Sequence, residues 1–219
     1  MKKAVLILSG GLDSTTLLYD MLNDGYEVFP ITFYYGQRHG KEVTAAKKIC
    51  QKLEIQCKVV DISSVSNILN NNSLTNVDIN IPDGHYADDN MKSTVVPNRN
   101  MILLALAIGY AINLGLEEVY YGAHSGDHTI YPDCRPEFIK RMDDLAFLCH
   151  YYPIYIEAPY FKYTKGKIVE IGSALGVDYS LTWTCYNGRE KPCGKCGSCI
   201  ERLEAFAENI IDDPLEYEK

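Results

Sequence analysis

The chain has 219 residues, of which 47% are hydrophobic and 23% charged, and its formal net charge is −8. A chain of this length buries roughly 70% of its unfolded surface, so its core needs no disulfides. The acidic balance argues against a broad nucleic-acid-binding face, which would be basic, and we expect no direct nucleic-acid partner.

The hydropathy pattern also argues against a transmembrane helix and against a secretory leader. No segment approaches the ~20 apolar residues of a transmembrane helix, and the apolar run 4–8 is too short for a secretory leader. We therefore predict a cytoplasmic protein with no membrane partner. In that compartment its eight cysteines are expected to be reduced or metal-bound rather than paired as disulfides.

Apolar runs and helical periodicity alternate along the chain. This alternation predicts an α/β fold with a doubly wound, parallel five-stranded sheet, which binds ligands beyond the carboxyl ends of its strands. We divide the chain into a catalytic domain, residues 1–180, and a C-terminal segment, residues 181–219. The predicted strands are 4–8, 27–35, 56–61, 119–121 and 154–158, and the predicted helices are 15–22, 39–53, 98–114, 136–149, 164–175 and 199–209.

Three features depart from this alternation. Residues 63–96 are rich in Asn and Asp and too long for an ordinary connection, so they form either a disordered insert or a lid over the active site. Pro30, inside the second strand, predicts a bulge or a sheet edge. Asn98, at the start of the third helix, is a candidate N-cap.

The run Ser9-Gly10-Gly11-Leu12-Asp13-Ser14 joins the first strand to the first helix. Two glycines let the backbone approach a ligand, and the helix start offers free N–H groups, so the run predicts a phosphate site. An ordinary tight turn is the alternative, and neither the dinucleotide fingerprint nor the Walker loop is present. The predicted nucleotide-binding residues are Leu8, Ser9, Gly10, Gly11, Leu12, Asp13, Ser14 and Thr15.

Four cysteines form a C-x7-C-x2-C-x2-C pattern near the end of the chain: Cys185, Cys193, Cys196 and Cys199. Four sulfurs without histidine favour a closed tetrahedral zinc site with a structural role. An iron–sulfur cluster is the first alternative, since C-x2-C-x2-C also opens the bacterial ferredoxin run. Free thiols or disulfides are the second.

Two polar segments are expected to contact the substrate. The loop 122–135, GAHSGDHTIYPDCR, follows the fourth strand, where substrate loops of such sheets lie. The run 95–100 enters the long third helix and carries Arg99. From the loop we select Asp127, Tyr131, Asp133 and Arg135 as candidate substrate-binding residues.

The SGG-x-DS loop resembles the PP-loop of the ATP pyrophosphatase superfamily. It is followed in order by YYGQRHGKE, VVPNRN, GAHSGDHTIYPDCRPEF and the four-cysteine pattern. In this set the chain resembles the 7-cyano-7-deazaguanine synthase family of queuosine biosynthesis. The resemblance implies a sheet of the adenine nucleotide alpha-hydrolase type, a homodimer, and ATP, Mg²⁺ and structural Zn²⁺ as cofactors. The implied reaction converts 7-carboxy-7-deazaguanine and ammonia to a nitrile.

On this resemblance the catalytic candidates are Asp13, Arg99, Lys165 and Asp127. Asp13 would bind Mg²⁺, while Arg99 and Lys165 would neutralise the α-phosphate or the substrate carboxylate. Asp127 or Asp133 would accept hydrogen bonds from the guanine-like N1–H and amino group, and Tyr131 would stack on the base. The resemblance of the loop to the PP-loop favours AMP and pyrophosphate as the nucleotide products. Free ammonium is the simpler nitrogen source.

Two other functions remain open at this level. Another PP-loop enzyme would thiolate tRNA or amidate a different carboxylate; thiolation needs a basic face and a reactive cysteine outside the metal set, for which only Cys134 qualifies. A non-catalytic zinc- and nucleotide-binding module would consume no ATP with any candidate substrate.

Overall fold

The predicted sheet is confirmed in a computed structural model that describes residues 2–85 and 88–218. Five strands pair in the order β3-β2-β1-β4-β5, and every neighbouring pair is parallel. The elements are β1 (Lys3–Ile7), α1 (Leu12–Asn23), β2 (Glu27–Tyr34), α2 (Lys41–Lys52), β3 (Lys58–Asp61), α3 (Arg99–Leu114), β4 (Glu118–Tyr120), α4 (Pro136–Ala146), β5 (Tyr155–Glu157), α5 (Lys165–Ala174) and α6 (Gly197–Glu208). Among the described residues, no helix combines the length and apolarity needed to cross a bilayer.

The central strand β1 separates two apolar cores. Val5 packs with Leu104 and other α3 residues on one face, whereas Leu6 packs with Leu17 of α1 on the other. A parallel strand covered on both faces reads as an uninterrupted apolar run, which is why 4–8 was recognisable in the sequence. Helix α1 begins at Leu12 rather than Thr15, so Asp13 and Ser14 lie in its first turn.

Two sequence predictions need correction. Strand β2 lies inside the sheet, between β1 and β3, so Pro30 does not mark a sheet edge. The proline is tolerated because pairing with β3 starts only at Ile31, so its missing N–H has no strand opposite it there. Asn98 does occupy the N-cap position of α3, but in a left-handed conformation (φ 61°) and without a side-chain cap hydrogen bond.

The segment 63–96 is packed against the sheet domain in its described parts, which contradicts a disordered insert. Leu74 and Met91 are buried. The Arg38 guanidinium donates hydrogen bonds to the carbonyl oxygens of Asn76 and Ile79, at 2.9 and 2.6 Å. These contacts hold the Asn-rich stretch to the loop that follows β2.

The C-terminal helix α6 shares the core of the sheet domain. Ala205 and Phe206 lie in the same apolar cluster as α1, and α6 packs on α5. Its apolar face is therefore covered within the chain.

A fully buried ion pair fastens α6 to the end of the chain. The Arg202 guanidinium donates to both carboxylate oxygens of Asp213, at 2.7 and 2.9 Å, and the two side chains are 1% and 2% exposed. Arg202 also donates to the Thr182 hydroxyl and the Tyr179 carbonyl. It thereby links α6 to the segment that precedes the cysteine cluster.

We predict that Asp213→Ala lowers the free energy of unfolding by about 3–5 kcal/mol, because it leaves a buried guanidinium without its counter-charge. Chemical denaturation measures this change. The control is Glu170→Ala, which removes an exposed partner of Lys167 and should cost less than about 1 kcal/mol. Equal losses for the two variants would contradict the prediction.

Candidate active site

A solvent-open cavity of about 210 Å³ lies at the carboxyl edge of the sheet, where the topology places ligands. Its walls come from the loops after β1, β2 and β4, the first turns of α3 and α5, and residues 183–198. The cavity contains four predicted catalytic residues: Asp13, Arg99, Lys165 and Asp127. No described residue of 63–96 lines this cavity.

The loop after β1 has the geometry of a phosphate cradle. Gly10 has φ +84°, and a Cβ there would overlap the Glu42 carbonyl oxygen and approach the Ala46 nitrogen to 2.7 Å, so only glycine fits. The Gly11 N–H donates to the Ser9 hydroxyl at 3.1 Å. The α1 N-terminus opens onto the cavity and offers backbone N–H groups and the positive end of its dipole.

Not every predicted nucleotide-binding residue faces the cavity. Leu8, Ser9, Gly11, Leu12, Asp13 and Ser14 line it. Thr15 is buried, and its hydroxyl donates to the Gly11 carbonyl oxygen at 2.6 Å. Gly10 does not line the cavity and instead permits the tight conformation of the loop. These two residues therefore support the cradle without facing a ligand.

A buried charge cluster lies beside this loop. The Lys165 ammonium is 2.6 Å from a Glu201 carboxylate oxygen and 3.5 Å from Asp13 Oδ2. Burial alone would lower the pKa of Lys165, but the carboxylates of Asp13 and Glu201 outweigh it and raise that pKa above its usual value. Lys165 therefore presents a permanent positive charge next to the phosphate cradle.

Histidine and a second aspartate complete the cluster. His124 Nε2 is 3.5 Å from Asp127 Oδ2 and 3.9 Å from Asp13 Oδ2. The His124 side chain also accepts a hydrogen bond from the Gly126 N–H at 3.1 Å, which fixes the short turn after β4. This turn brings Asp127 into the cavity lining.

One of the two carboxylate oxygens of Asp13 is available to a ligand. Its Oδ1 atom is buried and has no hydrogen-bond partner among the described residues, whereas its Oδ2 atom faces Lys165. An unpaired buried carboxylate oxygen is costly unless a ligand or ion engages it. At the mouth of a phosphate cradle this arrangement fits a divalent cation with oxygen ligands, such as Mg²⁺.

The cavity lining also includes a residue that sequence reasoning missed. Glu42, at the start of α2, lines the cavity together with Arg99 and Tyr35. Burial raises the pKa of Glu42 to about 7, although the Arg99 guanidinium opposes this rise. The sequence signal for Glu42 was its place inside YYGQRHGKE, directly after the loop that follows β2. Acidic residues are common in the first turn of a helix, so this position alone did not identify a functional residue.

Arg99 points into the same wall. Its guanidinium is 6.0 Å from the centroid of the Tyr35 ring. Burial alone would lower the pKa of Arg99, but Tyr35, Asp133 and Cys134 raise it well above the usual value, so the charge is permanent. The cavity therefore has two fixed cations, Arg99 and Lys165, on different walls.

Three predicted substrate contacts lie outside the cavity lining. The Asp133 carboxylate accepts a hydrogen bond from the Asn100 N–H at 2.9 Å and so holds the start of α3. The buried Tyr131 hydroxyl bonds to the hydroxyls of Thr94 and Tyr186, at 2.7 and 3.0 Å. Arg135 is exposed, and its Nε donates to the His128 carbonyl oxygen. Their positions brace the loop rather than meet a ligand in this cavity.

Cys134 does line the cavity, yet it is a poor nucleophile. The residue is 4% exposed, and burial raises the pKa of its thiol, with Asp127 and Asp133 adding to the rise. A protonated thiol is unreactive at neutral pH.

The four predicted ligand cysteines converge on one point. All four are buried, and their Sγ atoms lie within 4.8 Å of one another. Two of the separations are 3.5 Å (Cys196 to Cys199) and 4.0 Å (Cys193 to Cys199). A tetrahedral Zn–S distance of ~2.3 Å places sulfurs roughly 3.8 Å apart, so the four thiols could hold one metal ion.

The cysteine segment also shapes the cavity. Trp183, Thr184, Tyr186 and Ser198 line it. The Trp183 N–H donates to the Gly10 carbonyl oxygen at 2.9 Å, which joins the segment to the phosphate cradle. His39, from the loop after β2, places its Nε2 3.0 Å from the Cys185 carbonyl oxygen.

Comparison with known proteins gives matches over almost the whole chain. The family model described as "Queuosine biosynthesis protein QueC" matches residues 3–210. A protein named 7-cyano-7-deazaguanine synthase from Hahella chejuensis is 58% identical over 99% of this chain and 93% of its own length. One of the same name from Pseudoalteromonas translucida is 57% identical over 99% of both chains.

Solved structures of low sequence identity share the fold. A 4-thiouridine synthetase in complex with RNA and bound ATP is 21% identical, with a TM-score of 0.53, over 80% of this chain and 41% of that one. The NMN synthetase from Francisella tularensis is 12% identical, with a TM-score of 0.54, over 95% of this chain and 77% of that one. At these identities the two neighbours show a shared fold alone.

The raised pKa of Glu42 predicts a component of stability that depends on pH. The folded state holds the proton up to about pH 7, whereas the unfolded chain releases it near its ordinary pKa. Between these values the unfolded state binds fewer protons, so the free energy of unfolding should fall as pH rises, by on the order of 3 kcal/mol.

Urea denaturation of the wild type and Glu42→Gln between pH 4.5 and 8 measures this component. The variant should gain stability relative to the wild type across that interval, because glutamine does not ionise. A constant difference between the two proteins would show that the Glu42 pKa is not raised.

Proposed function

The chain belongs to the QueC family of queuosine biosynthesis proteins, and on that basis we propose that it is an ATP-dependent ligase forming 7-cyano-7-deazaguanine from 7-carboxy-7-deazaguanine and ammonia. Relatives more than 50% identical over nearly the full chain carry the corresponding name. The observation in the structure that supports it best is that the phosphate cradle opens into the same cavity as Arg99, Lys165 and Asp127.

The chemistry needs two activations of one carbon atom. A carboxylate is a poor electrophile, so one of its oxygens attacks the α-phosphorus of ATP and releases pyrophosphate. Ammonia then displaces AMP from the acyl-adenylate and gives the amide. The amide oxygen attacks a second ATP in the same way, and loss of AMP with two protons leaves the nitrile.

The residues of the cavity have complementary tasks in this scheme. Backbone N–H groups in the first turn of α1, residues 12–14, bind the β- and γ-phosphates and stabilise the departing pyrophosphate. Lys165 and Arg99 offset the negative charge that brings the carboxylate and the α-phosphate together. Asp127 orients the turn beside them through His124. Asp13 would hold Mg²⁺ through Oδ1, and the ion supplies further neutralisation of the phosphates.

We assign structural zinc to the four cysteines. Four thiol ligands leave no open position for a substrate, and sulfurs converging on one point fit a single ion better than a multi-iron cluster. Thiol ligands are maintained in a reducing compartment, which supports the cytoplasm as the place of action.

We also propose a homodimer. The support is a run of exposed apolar side chains after α4, in which Phe147, Leu148 and Tyr151 are 52%, 77% and fully exposed. Light scattering of the purified protein measures the mass directly, and a monomer at micromolar concentration would reject this assembly.

The alternative enzymatic function, tRNA thiolation, is less well supported. The net charge is −8, which disfavours tRNA binding, and the one candidate thiol, Cys134, is buried with a raised pKa. The 4-thiouridine synthetase shares only the fold, and fold does not determine function.

Product analysis tests the proposal. The protein is incubated with Mg-ATP, ammonium and 7-carboxy-7-deazaguanine, and the products are identified by mass spectrometry. We expect the nitrile and AMP, with the amide as an intermediate. An unchanged base with unconsumed ATP would reject the synthase function and redirect the search to other carboxylates.

We predict that Asp13→Asn abolishes turnover, with a loss of at least about 1000-fold, because it removes the carboxylate that faces both Lys165 and the cation. Steady-state kinetics measures the loss, and zinc content by elemental analysis should stay unchanged. Glu137→Gln, on the exposed first turn of α4, is the control and should retain full activity. An active Asp13→Asn enzyme would remove Asp13 from the mechanism.

We predict that Cys196→Ser lowers bound zinc from one ion per chain towards zero and destabilises the phosphate cradle, since Trp183 and the ligand cysteines belong to one segment. Elemental analysis and thermal unfolding report the two effects. Cys57→Ser, outside the metal cluster, is the matched control. Stoichiometric zinc in the Cys196 variant would contradict a four-cysteine site.

A further inference from the structure

The Glu42 carboxylate is an acceptor without a donor. It lines the cavity, and no described residue donates a hydrogen bond to it; its one counter-charge is the nearby Arg99 guanidinium. Half-buried carboxylates in native proteins are normally hydrogen-bonded, and leaving one unsatisfied is costly. A bound ligand with N–H donors would satisfy it.

The neighbours of Glu42 restrict the kind of ligand. Arg99 places a permanent cation beside this carboxylate, and the Tyr35 ring packs at 6.0 Å from the guanidinium. This part of the cavity therefore offers a carboxylate acceptor, a cationic guanidinium with several donors, and an aromatic ring as neighbours. A matching ligand needs two adjacent donors followed by acceptor or anionic oxygens, all on one edge of a flat ring.

The proposed reaction involves two ring systems, adenine and 7-deazaguanine. Only 7-deazaguanine has two adjacent donors followed by acceptor oxygens along one edge. Its edge runs from the 2-amino group and N1–H, which are parallel donors, to the 6-oxo oxygen and the 7-carboxylate. Adenine offers one amino donor beside the N1 acceptor, and a carboxylate would repel that acceptor. Paired donors suit the two oxygens of a carboxylate, as charge-assisted bidentate pairs do elsewhere.

We propose that Glu42 and Arg99 read this edge of the base: Glu42 accepts hydrogen bonds from the 2-amino group and N1–H, and Arg99 binds the side of the 6-oxo and carboxylate oxygens. This assignment rests on the proposed function. It replaces Asp127 or Asp133 as the carboxylate that recognises the guanine-like donors, because Asp133 holds α3 and Asp127 faces His124.

The test is a two-by-two binding cycle by calorimetry at pH 8, where Glu42 is ionised. The ligands are 7-carboxy-7-deazaguanine and its analogue lacking the 2-amino group, and the proteins are wild type and Glu42→Gln. The wild type should bind the analogue about 50-fold more weakly than the parent base, as expected for hydrogen bonds to a charged acceptor. Glu42→Gln should bind both bases weakly and distinguish them by less than about 3-fold.

Controls separate this inference from the function on which it rests. ATP should bind Glu42→Gln within 2-fold of the wild type, and Glu137→Gln should behave as wild type with every ligand. A variant that loses ATP affinity but still distinguishes the two bases would overturn the assignment.

The wild-type arm is informative even if Glu42→Gln fails to fold. Equal affinity of the wild type for the two bases would also overturn the assignment, since it would show that the 2-amino group has no acceptor. No binding of either base by the wild type, with ATP still bound, would instead reject the proposed substrate.

Discussion

The ion pairs of Lys165 hold the site together. Its ammonium lies between Asp13 on α1 and Glu201 on α6, and it comes from α5 itself. A buried cation in this position is stable only while both carboxylates stay close. The three helices are therefore constrained to meet at the edge of the sheet where the phosphate cradle opens, and Lys165 presents its charge to the cavity.

This constraint also gives the cysteine segment a role beyond stability. Cys199 and Glu201 lie two residues apart on α6, so an ion held by the cysteines fixes the helix that supplies the partner of Lys165. The same segment contributes Trp183, which bonds to Gly10. The four-cysteine cluster is not part of the proposed chemistry, but it is connected to the catalytic cavity through one helix and one backbone hydrogen bond.

The sequence allowed the fold, the glycine turn at the start of α1 and the convergence of four cysteines to be predicted, because each depends on local patterns: an apolar run, a glycine pair before a helix, and short cysteine spacings. Glu42 and Glu201 were not recognisable, since each is an ordinary helical acid until tertiary packing brings it to the cavity. Tyr131 and Asp133 were selected from the sequence but do not line the cavity. Their loop is polar and well placed, but these side chains turn inward to Thr94 and Asn100.

The most direct test of adenylation follows oxygen from the substrate. With both carboxylate oxygens of 7-carboxy-7-deazaguanine labelled with ¹⁸O, attack on the α-phosphorus in both activations should deliver one label to each of two AMP molecules. Mass spectrometry of the nucleotides measures this transfer. Label in inorganic phosphate, or unlabelled AMP beside the nitrile, would contradict an account in which this cavity activates the acid and then the amide at the α-phosphate.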